Sequence, residues 1–392
     1  MSEWRIVKLG ELCKNVTSGG TPTSTVASYY NPPTIPWVKT KEINYCRIYE
    51  SENYISEEGL CNSSAKIIPA NSVIVAMYGQ GDTAGRVAIN KVPITTNQAC
   101  CNLTLDESLA DYEFVYYNLC TLYSKLVSLK KGAAQPNLNA KIIKGLEIDI
   151  PDLQTQHRIA TTLSRYDSLI DNYQKQIKLL EEAAQRLYKE WFVNLRFPGH
   201  ENTKIVDGVP EGWEKKKLIS LVDVQYGYAF DGHLFNDKGE GMPILRIRNI
   251  PDGYTKDYTA EQASSDYIVH KGDIVVGMDG IFHINTWSGD DAYLVQRACS
   301  FRPHNEKLKG FIFQAIVEPI KFFEKTLVGA TVAHLGKKHI DSIELLVPSK
   351  ERLFAPLQKM YKQRMTLLSQ LRLLTESRDR LLPKLLSGEI EV

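Results

Sequence analysis

The chain has 392 residues, which is long enough for two or three domains that each bury a core of their own. Hydrophobic residues make up 43% and charged residues 24%, a globular composition that excludes a fibrous protein and extensive disorder. The formal net charge of +1 excludes a uniformly basic nucleic-acid binder, so a surface for DNA would have to carry its positive charge locally.

Cysteine usage and hydropathy indicate a protein of the cytoplasm. The number of cysteines, seven, is odd, and their spacing fits neither a disulfide framework nor a four-ligand zinc site. Cys100 and Cys101 would point to opposite faces of a strand, which favours buried thiols over metal ligands. No stretch approaches the roughly 18 apolar residues of a membrane span, and the N-terminal residues contain no signal-peptide core. We therefore expect a cytoplasmic protein without membrane association.

The second half of the sequence repeats the first at an offset of about 200 residues. In each copy a tryptophan, Trp4 or Trp213, opens a strand that enters a short helix. A strand with basic residues on one face follows, then a turn into a buried strand that ends in a loop with glycine, then a further loop and strand. The paired segments are residues 35–43 and 242–250, 67–79 and 268–280, and 132–151 and 329–348. Two copies of a mixed α/β unit are therefore predicted.

A long helix is predicted after each copy, because hydrophobic residues recur there at alternating steps of three and four, the pattern of a coiled-coil seam. The residues expected in the seam are Ile159, Leu163, Ile170, Ile177 and Leu187 in the first helix and Leu353, Leu357, Leu367, Leu371 and Leu381 in the second. Arg364 and Arg378 occupy seam positions in the second helix, and Leu at these positions is expected to strengthen the pairing. Pro356 and Pro383 are expected near the two ends of that helix.

Candidate DNA-reading residues lie at matching places in the two copies. Arg and Lys can read guanine and Asn and Gln can read adenine, whereas the pair Lys337 and Lys338 is more typical of phosphate contacts. The candidates are Lys39, Lys41, Gln80, Arg86, Gln135, Asn137, Asn139 and Lys141 in the first copy, and Arg246, Arg248, Asn249, Asp279, His283, Asn285, His334, Lys337, Lys338 and His339 in the second. A solvated surface role explains each residue alone equally well, so the prediction depends on the repetition.

No constellation for catalysis accompanies these residues. The tract Asn-Pro-Pro-Thr at residues 31–34 is similar to an adenine-methyltransferase motif, but it has threonine where an aromatic residue is needed. The glycine-rich run at residues 79–85 lacks the Lys-Ser/Thr of a phosphate-binding loop. His334 and His339 have no third metal ligand near them in the sequence. We therefore expect no catalytic residues and no metal site.

The order domain, helix, domain, helix resembles the specificity subunits of type I restriction-modification systems. The phrases that carry the resemblance are QTQHRIATTLSRYDSLID (154–171), LYKEWF (187–192), GWEKKKL (212–218) and LLPKLLSGEI (381–390). The resemblance covers nearly the whole chain, and it depends on the combination because no single phrase is specific enough.

The resemblance implies an α/β (mixed α+β) fold with two target-recognition domains, separated by two long antiparallel coiled-coil helices in a pseudo-twofold arrangement. The expected parts are domain 1 at 1–151, a central helix at 152–193, a linker at 194–210, domain 2 at 211–348 and a C-terminal helix at 349–392. Such a chain would recognise a bipartite double-stranded DNA site without catalysing a reaction. It would dock two modification (methyltransferase) subunits and work with restriction/translocase subunits. S-adenosylmethionine, ATP and Mg²⁺ would then reside on those partners.

Two other functions stay open on the residues alone. A two-domain scaffold that binds RNA or protein would use the same loops without a split DNA site. A fragment of a nuclease or methyltransferase is the third possibility. Neighbouring genes for a methyltransferase and a helicase-like translocase would favour the DNA-specificity function over both.

Overall fold

The computed structural model describes residues 4–130, 137–327 and 333–392, which form two compact units. Unit 1 consists of Met1–Leu169 and Leu374–Val392, and unit 2 consists of Ile170–Leu373. Each unit contains part of both long helices. The helices are thus packed into the cores of the two units, and the finer domain boundaries stay a prediction.

Unit 1 is built on a five-stranded sheet with the order β2-β9-β6-β7-β4, accompanied by a three-stranded sheet β5-β3-β8 and the antiparallel pair β1-β10. Its strands are β1 (Arg5–Lys8), β2 (Cys13–Ser18), β3 (Ile35–Val38), β4 (Cys46–Ile48), β5 (Tyr54–Ile55), β6 (Val73–Ala76), β7 (Val87–Asn90), β8 (Thr95–Thr96), β9 (Cys100–Leu105) and β10 (Glu147–Ile150). Its short helices are α1 (Glu57–Cys61), α2 (Tyr112–Thr121), α3 (Tyr123–Ser128) and α4 (Ala140–Lys144).

The first long helix, α5 (Leu153–Tyr188), begins in unit 1 and continues into unit 2. The strands of unit 2 are β11 (Ile205–Val206), β12 (Val209–Pro210), β13 (Trp213–Lys217), β14 (Val222–Tyr226), β15 (Phe235–Asn236), β16 (Met242–Leu245), β17 (Tyr258–Thr259), β18 (Ile268–Val269), β19 (Ile274–Gly277), β20 (Ile284–Thr286), β21 (Ala292–Leu294), β22 (Ala298–Pro303) and β23 (Glu344–Pro348). Its other helices are α6 (Lys309–Ala315), α7 (Val317–Thr326), α8 (Lys337–Asp341) and most of α9 (Ala355–Leu386).

The strand pairing confirms the internal repeat. Strand β1 pairs antiparallel with β10 in unit 1, and β13 pairs antiparallel with β23 in unit 2. The buried strands β6 and β19 likewise pair with β9 and β22, and the short strands β3 and β16 pair in parallel with β8 and β21. These pairs are common to both copies, but the sheets differ in size: unit 2 has a four-stranded sheet β14-β22-β19-β20 and a five-stranded sheet β15-β17-β16-β21-β18. Unit 1 also has a bulge between Cys13 and Asn15.

The hydrophobic core of unit 1 lies on both faces of its larger sheet. Cys101 packs with α2 and the beginning of α5 in one cluster, whereas the adjacent Cys100 packs in a second cluster with Ile74 and Ile94. This confirms that the neighbouring thiols point to opposite faces. Burial raises the pKa of Cys101 to about 12, so this thiol is protonated at neutral pH and is a poor nucleophile.

A capping aspartate and two prolines lie at the ends of the long helices. Asp152 precedes α5 and accepts a hydrogen bond from the backbone N–H of Thr155 at 3.0 Å, which satisfies one of the free N–H groups of the first turn. Pro356 lies in the first turn of α9, where a missing N–H costs nothing, and Pro383 lies in its last turn. Both prolines therefore fall near the helix ends, as predicted. Among the described residues, no helix is long and apolar enough to cross a membrane.

The candidate seam residues are mostly buried in their own units. Ile159, Leu163, Ile170, Ile177, Leu353, Leu357 and Leu367 are buried, whereas Leu187, Leu371 and Leu381 are partly exposed. In unit 1 the first turns of α5 share a core with the last turns of α9. In unit 2 the later turns of α5 pack with the first turns of α9. The two helix segments inside each unit thus run antiparallel.

Arg364 and Arg378 are polar anchors, and their hydrogen bonds argue against the expectation that leucine would strengthen the seam at these positions. In unit 2, Arg364 donates to Glu181 at 2.6 Å, to Asn285 at 2.7 Å and to the Thr286 hydroxyl. In unit 1, Arg378 donates to Asp167 at 2.9 Å, and the Asp167 side chain is only 8% exposed. We expect leucine at 364 to leave the Thr286 hydroxyl and one lone pair of Asn285 unpaired, and leucine at 378 to remove one of the three donors to Asp167, a cost that a few added apolar contacts do not offset.

Candidate nucleic-acid interface

Two loops lie side by side at the end of the buried strand in each unit. We call them the glycine loop (residues 77–86 and 278–283) and the late loop (residues 137–139 and 333–336). In unit 1 the backbone N–H of Leu138 donates to the carbonyl of Met77 at 3.0 Å. In unit 2, Leu335 donates to the carbonyl of Met278 at 2.7 Å. The same backbone contact thus joins the two loops in both copies.

A third segment, the cap turn, follows strands β3 and β16 (residues 39–42 and 246–249). The backbone N–H of Lys39 donates to the Glu42 carboxylate, and that of Arg246 donates to the Asn249 amide oxygen, both at 2.9 Å. These side-chain caps end the strands at Val38 and Leu245 and start a 3₁₀ turn. The prediction that the basic residues lie along one face of a strand is therefore wrong.

The basic side chains of unit 1 have partners on neighbouring loops. Lys39 lies over the ring of Trp37 and donates to Asn53 at 2.9 Å, and Lys41 is paired with Glu52. Arg86 pairs with Asp82 at 2.5 Å and donates to Asn44 at 3.0 Å, which links the glycine loop to the segment after the cap turn. Gln80 is exposed at the tip of the glycine loop.

The late loop of unit 1 contains one residue with a structural task. Asn139 caps α4, where its side-chain oxygen accepts from the backbone N–H of Ile142 at 2.9 Å. Asn137 is partly exposed beside it, and Lys141 is exposed on the first turn of α4. Gln135 lies outside the described residues. Asn137 is therefore the described amide in this loop that is best placed to meet a ligand.

In unit 2 the cap turn and the glycine loop line an open cleft of about 660 Å³. Four candidates line it, namely Arg246, Arg248, Asp279 and His283. Sequence reasoning missed the remaining wall, which is formed by Phe230, Gly232, Phe235, Ile247, Ile281, Val295, Gln296 and Arg297. Gln98 in the first copy aligns with Gln296 in the second, and this match was the available signal for part of the wall.

Carboxylates hold two of the three arginines that line this cleft. Asp279 pairs with His334 at 2.5 Å and with Arg297 at 3.2 Å, so the late loop and the cleft wall share one acidic residue. Arg248 pairs with Asp257 at 2.7 Å. Burial works against ionisation of Asp257, but hydrogen bonds from Arg248 and Asn249 outweigh it and lower the pKa of this carboxyl. The cleft is thus a preset array of paired charges with an aromatic wall.

Asn285 does not belong to this surface. It is buried, its side-chain nitrogen donates to the carbonyls of Ile250 and Pro251, and its side-chain oxygen accepts from Arg364 and from the backbone of Thr286. All four hydrogen-bonding positions of the amide are filled. The prediction that Asn285 reads DNA is therefore wrong, and its role is to anchor β20 to α9.

The candidates on α8 lie away from the cleft wall. His339 accepts from the backbone N–H of Gly336 at 3.0 Å and packs on the ring of Phe323, so it stabilises the start of α8. Lys337 pairs with Asp341 at 3.3 Å within the helix, and Lys338 is exposed. Of these residues, the two lysines remain available to a phosphate.

Within residues 4–130, 137–327 and 333–392, no group of three or more His, Cys, Asp or Glu side chains is arranged to hold a metal ion. His334 and His339, the pair considered from the sequence, are occupied by Asp279 and Gly336.

Each unit presents a cap turn, a glycine loop and a late loop, so the chain carries the same polar loop arrangement twice. The chain belongs to the family described as "Type I restriction modification DNA specificity domain", which matches residues 1–182 and 210–378. The two matched segments contain the two copies of the repeat.

Named relatives and one solved structure agree with this assignment. The chain is similar to the specificity subunit of the type I restriction enzyme MjaIX of Methanocaldococcus jannaschii, with 26% identity over 100% of this chain and 94% of that protein. It is also similar to the HindI specificity subunit of Haemophilus influenzae, with 21% identity over 100% of both chains. The crystal structure of a type I S subunit from M. genitalium has the same fold, with a TM-score of 0.64, 18% identity and coverage of 98% of this chain and 96% of that one.

Proposed function

We propose that the chain is the DNA-specificity subunit of a type I restriction-modification complex and that each unit reads one half of a split DNA site. The observation that carries the proposal is the repeated surface: the same three segments carry polar side chains at the same strand ends in both copies. Arg, Lys, Asn and Gln at such ends have the donors and acceptors that read base edges in the major groove.

The chain supplies recognition, and its partners supply the chemistry. Two modification subunits dock on it, and restriction subunits complete the complex in the cytoplasm. S-adenosylmethionine belongs to the modification subunits, while ATP and Mg²⁺ belong to the restriction subunits. Support comes from the relatives named as specificity subunits of restriction enzymes. Sharing the DNA with partners also explains how a chain of net charge +1 serves a polyanion.

The test is half-site discrimination by the complex of this chain with its modification subunits. Methylation would be measured on a library in which either half of the target is varied. Replacing Arg246 and Arg297 by alanine should relax the choice of bases in one half-site only, with about 1–3 kcal/mol lost per base contact. Replacing Arg86 and Asn137 by alanine should relax the other half-site only.

The matched control is Lys175→Ala, which removes a cation from the exposed face of α5. It should leave the preference at both half-sites unchanged. If the unit 2 substitutions relax both half-sites equally, the division of labour between the units is refuted.

A further inference from the structure

Arg248 holds an unusual position among the cations of the recognition surfaces, because a carboxylate fixes one edge of its guanidinium plane. Its Nε donates to Oδ2 of Asp257 at 3.1 Å, and its Nη2 donates to Oδ1 at 2.7 Å and to Oδ2 at 2.8 Å. Within residues 4–130, 137–327 and 333–392, no hydrogen-bond partner is found for Nη1. The side edge of the guanidinium is thus occupied, while the end formed by Nη1 and the far side of Nη2 is free.

Asp257 is itself fixed from several directions. Its Oδ2 accepts from the Asn249 side chain at 3.2 Å, and its backbone N–H donates to the Thr255 hydroxyl at 2.9 Å. Its carbonyl accepts from the backbone N–H of Ile244 in β16 at 2.9 Å. The Asp257 side chain is 19% exposed, whereas that of Arg248 is 61% exposed. A well-held carboxylate therefore presents an accessible guanidinium at the cleft wall.

The equivalent position of unit 1 provides an internal comparison. The carbonyl of Asn53 accepts from Trp37 in β3 at 2.8 Å, as the carbonyl of Asp257 accepts from β16, so Asn53 corresponds to Asp257. Asn53 bonds Lys39, and Lys41 pairs instead with Glu52, where both side chains are 64% exposed. Unit 1 therefore has an exposed ammonium group where unit 2 has an oriented guanidinium fork.

We propose that Arg248 reads a guanine in the half-site of unit 2 and that Asp257 is the positioning residue that aims it. This inference rests on the proposed function. The free end of a guanidinium offers two parallel N–H groups, which match O6 and N7 of guanine in the major groove. Because Asp257 holds the plane before DNA arrives, little side-chain entropy is lost when the contact forms. Lys41 lacks this planar fork, and we assign it to a phosphate.

The experiment uses the complex with its modification subunits and duplexes in which each guanine of the target is replaced in turn by 7-deazaguanine. This base pairs normally but lacks the N7 acceptor. At one guanine of the unit 2 half-site, the replacement should weaken binding by the wild-type complex about 5- to 150-fold, equivalent to about 1–3 kcal/mol at about 1.4 kcal/mol per factor of ten. In Arg248→Ala the same replacement should cost less than about twofold.

Further variants separate charge from orientation. Arg248→Lys should keep affinity for unrelated DNA but lose the response to 7-deazaguanine, because it retains the charge and lacks the fork. Asp257→Asn should weaken that response and leave affinity for unrelated DNA unchanged or raised. Lys41→Ala, the matched control in unit 1, should leave the response intact.

The outcomes distinguish this inference from the function on which it rests. If wild type shows no response to 7-deazaguanine in the unit 2 half-site, or if Arg248→Ala retains the response, Arg248 is not a guanine reader, although half-site discrimination survives. If the complex discriminates neither half-site, the proposed function itself fails. Melting temperatures of the variants, expected to equal that of the wild type for Arg248→Ala, show that each variant is folded.

Discussion

Three cations of the recognition loops are paired with carboxylates in their own unit. Lys41 pairs with Glu52, Arg86 with Asp82, and Arg248 with Asp257. Exposed pairs of this kind contribute little to stability. In the proposed DNA-specificity function, these pairs would orient the long side chains before DNA binds and balance part of the local positive charge.

At Arg364 we predict that leucine destabilises the protein, although the position belongs to the helical seam. The guanidinium is 9% exposed, and its removal leaves the Thr286 hydroxyl and one lone pair of Asn285 unpaired in the interior. The expected loss is about 2–4 kcal/mol in the free energy of unfolding, measured by urea denaturation.

Lys362→Leu is the matched control, because Lys362 lies two residues away on the exposed face of the same helix. It should change the free energy of unfolding by less than about 0.5 kcal/mol. A variant Arg364→Leu that is more stable than wild type would show that the apolar seam outweighs the polar anchor.

Among the helices and strands, the sequence predicted the features that depend on hydrophobic periodicity and on residues close together in the chain. The steps of three and four located both long helices, and the prolines located the ends of α9. The cap turns were predicted as strands. Basic residues two positions apart fit both a strand with one basic face and a 3₁₀ turn that a side chain caps. Asn285 was misassigned because its partner Arg364 lies 79 residues further along the chain.

A second polar anchor joins the elements of unit 1. Asp167 on α5 accepts from Tyr117 on α2 at 2.6 Å, from Arg47 on β4 at 2.9 Å and from Arg378 on α9 at 2.9 Å. Burial alone would raise the pKa of Asp167, but these three hydrogen bonds outweigh burial and lower it. The charged carboxylate therefore stabilises the folded unit.

The lowered pKa sets the sign of a pH dependence. The contribution of Asp167 is complete above the ordinary aspartate pKa of about 3.9 and is lost as the pH falls through the lower native value. We predict that Asp167→Asn lowers the melting temperature at pH 7, and that the difference from wild type shrinks as the pH is lowered below about 4. The measurement is the melting temperature of both proteins at a series of decreasing pH values.

Asp171→Asn, an exposed position on the same helix, is the control. Its difference from wild type should stay small throughout the series. If the difference in melting temperature between Asp167→Asn and wild type stays constant down to the lowest pH, the carboxylate charge is not the source of the stabilisation.

For the whole molecule, we predict that the two helices set the distance between the half-sites. Helix α5 has 36 residues, so it spans about 54 Å at about 1.5 Å per residue, more than the roughly 34 Å between successive major grooves. A heptad inserted after Leu169 and another after Leu373 would lengthen both helices by about 10 Å and keep the apolar positions in register. The added length equals about three base pairs of roughly 3.4 Å.

These insertion points leave the anchors of Asp167 and Arg364 undisturbed inside their units. In a library with constant half-sites and variable spacers, the double-insertion variant should therefore no longer methylate sites with the original spacer length. If a folded double-insertion variant keeps the original preferred spacer length, the helices do not set the distance between the half-sites.

The polar anchor of unit 2 at Arg364 and that of unit 1 at Asp167 are built from different residues. This difference limits which parts of the coding sequence can be exchanged independently by recombination. In unit 2, Asn285 and Thr286 of the recognition domain depend on an arginine that is encoded far downstream. A recombination event that exchanged the coding region for that domain alone would place a foreign strand against Arg364. Successful exchanges should therefore preserve an amide and a hydroxyl at these two positions, or replace the arginine in the same event, even though neither position meets DNA.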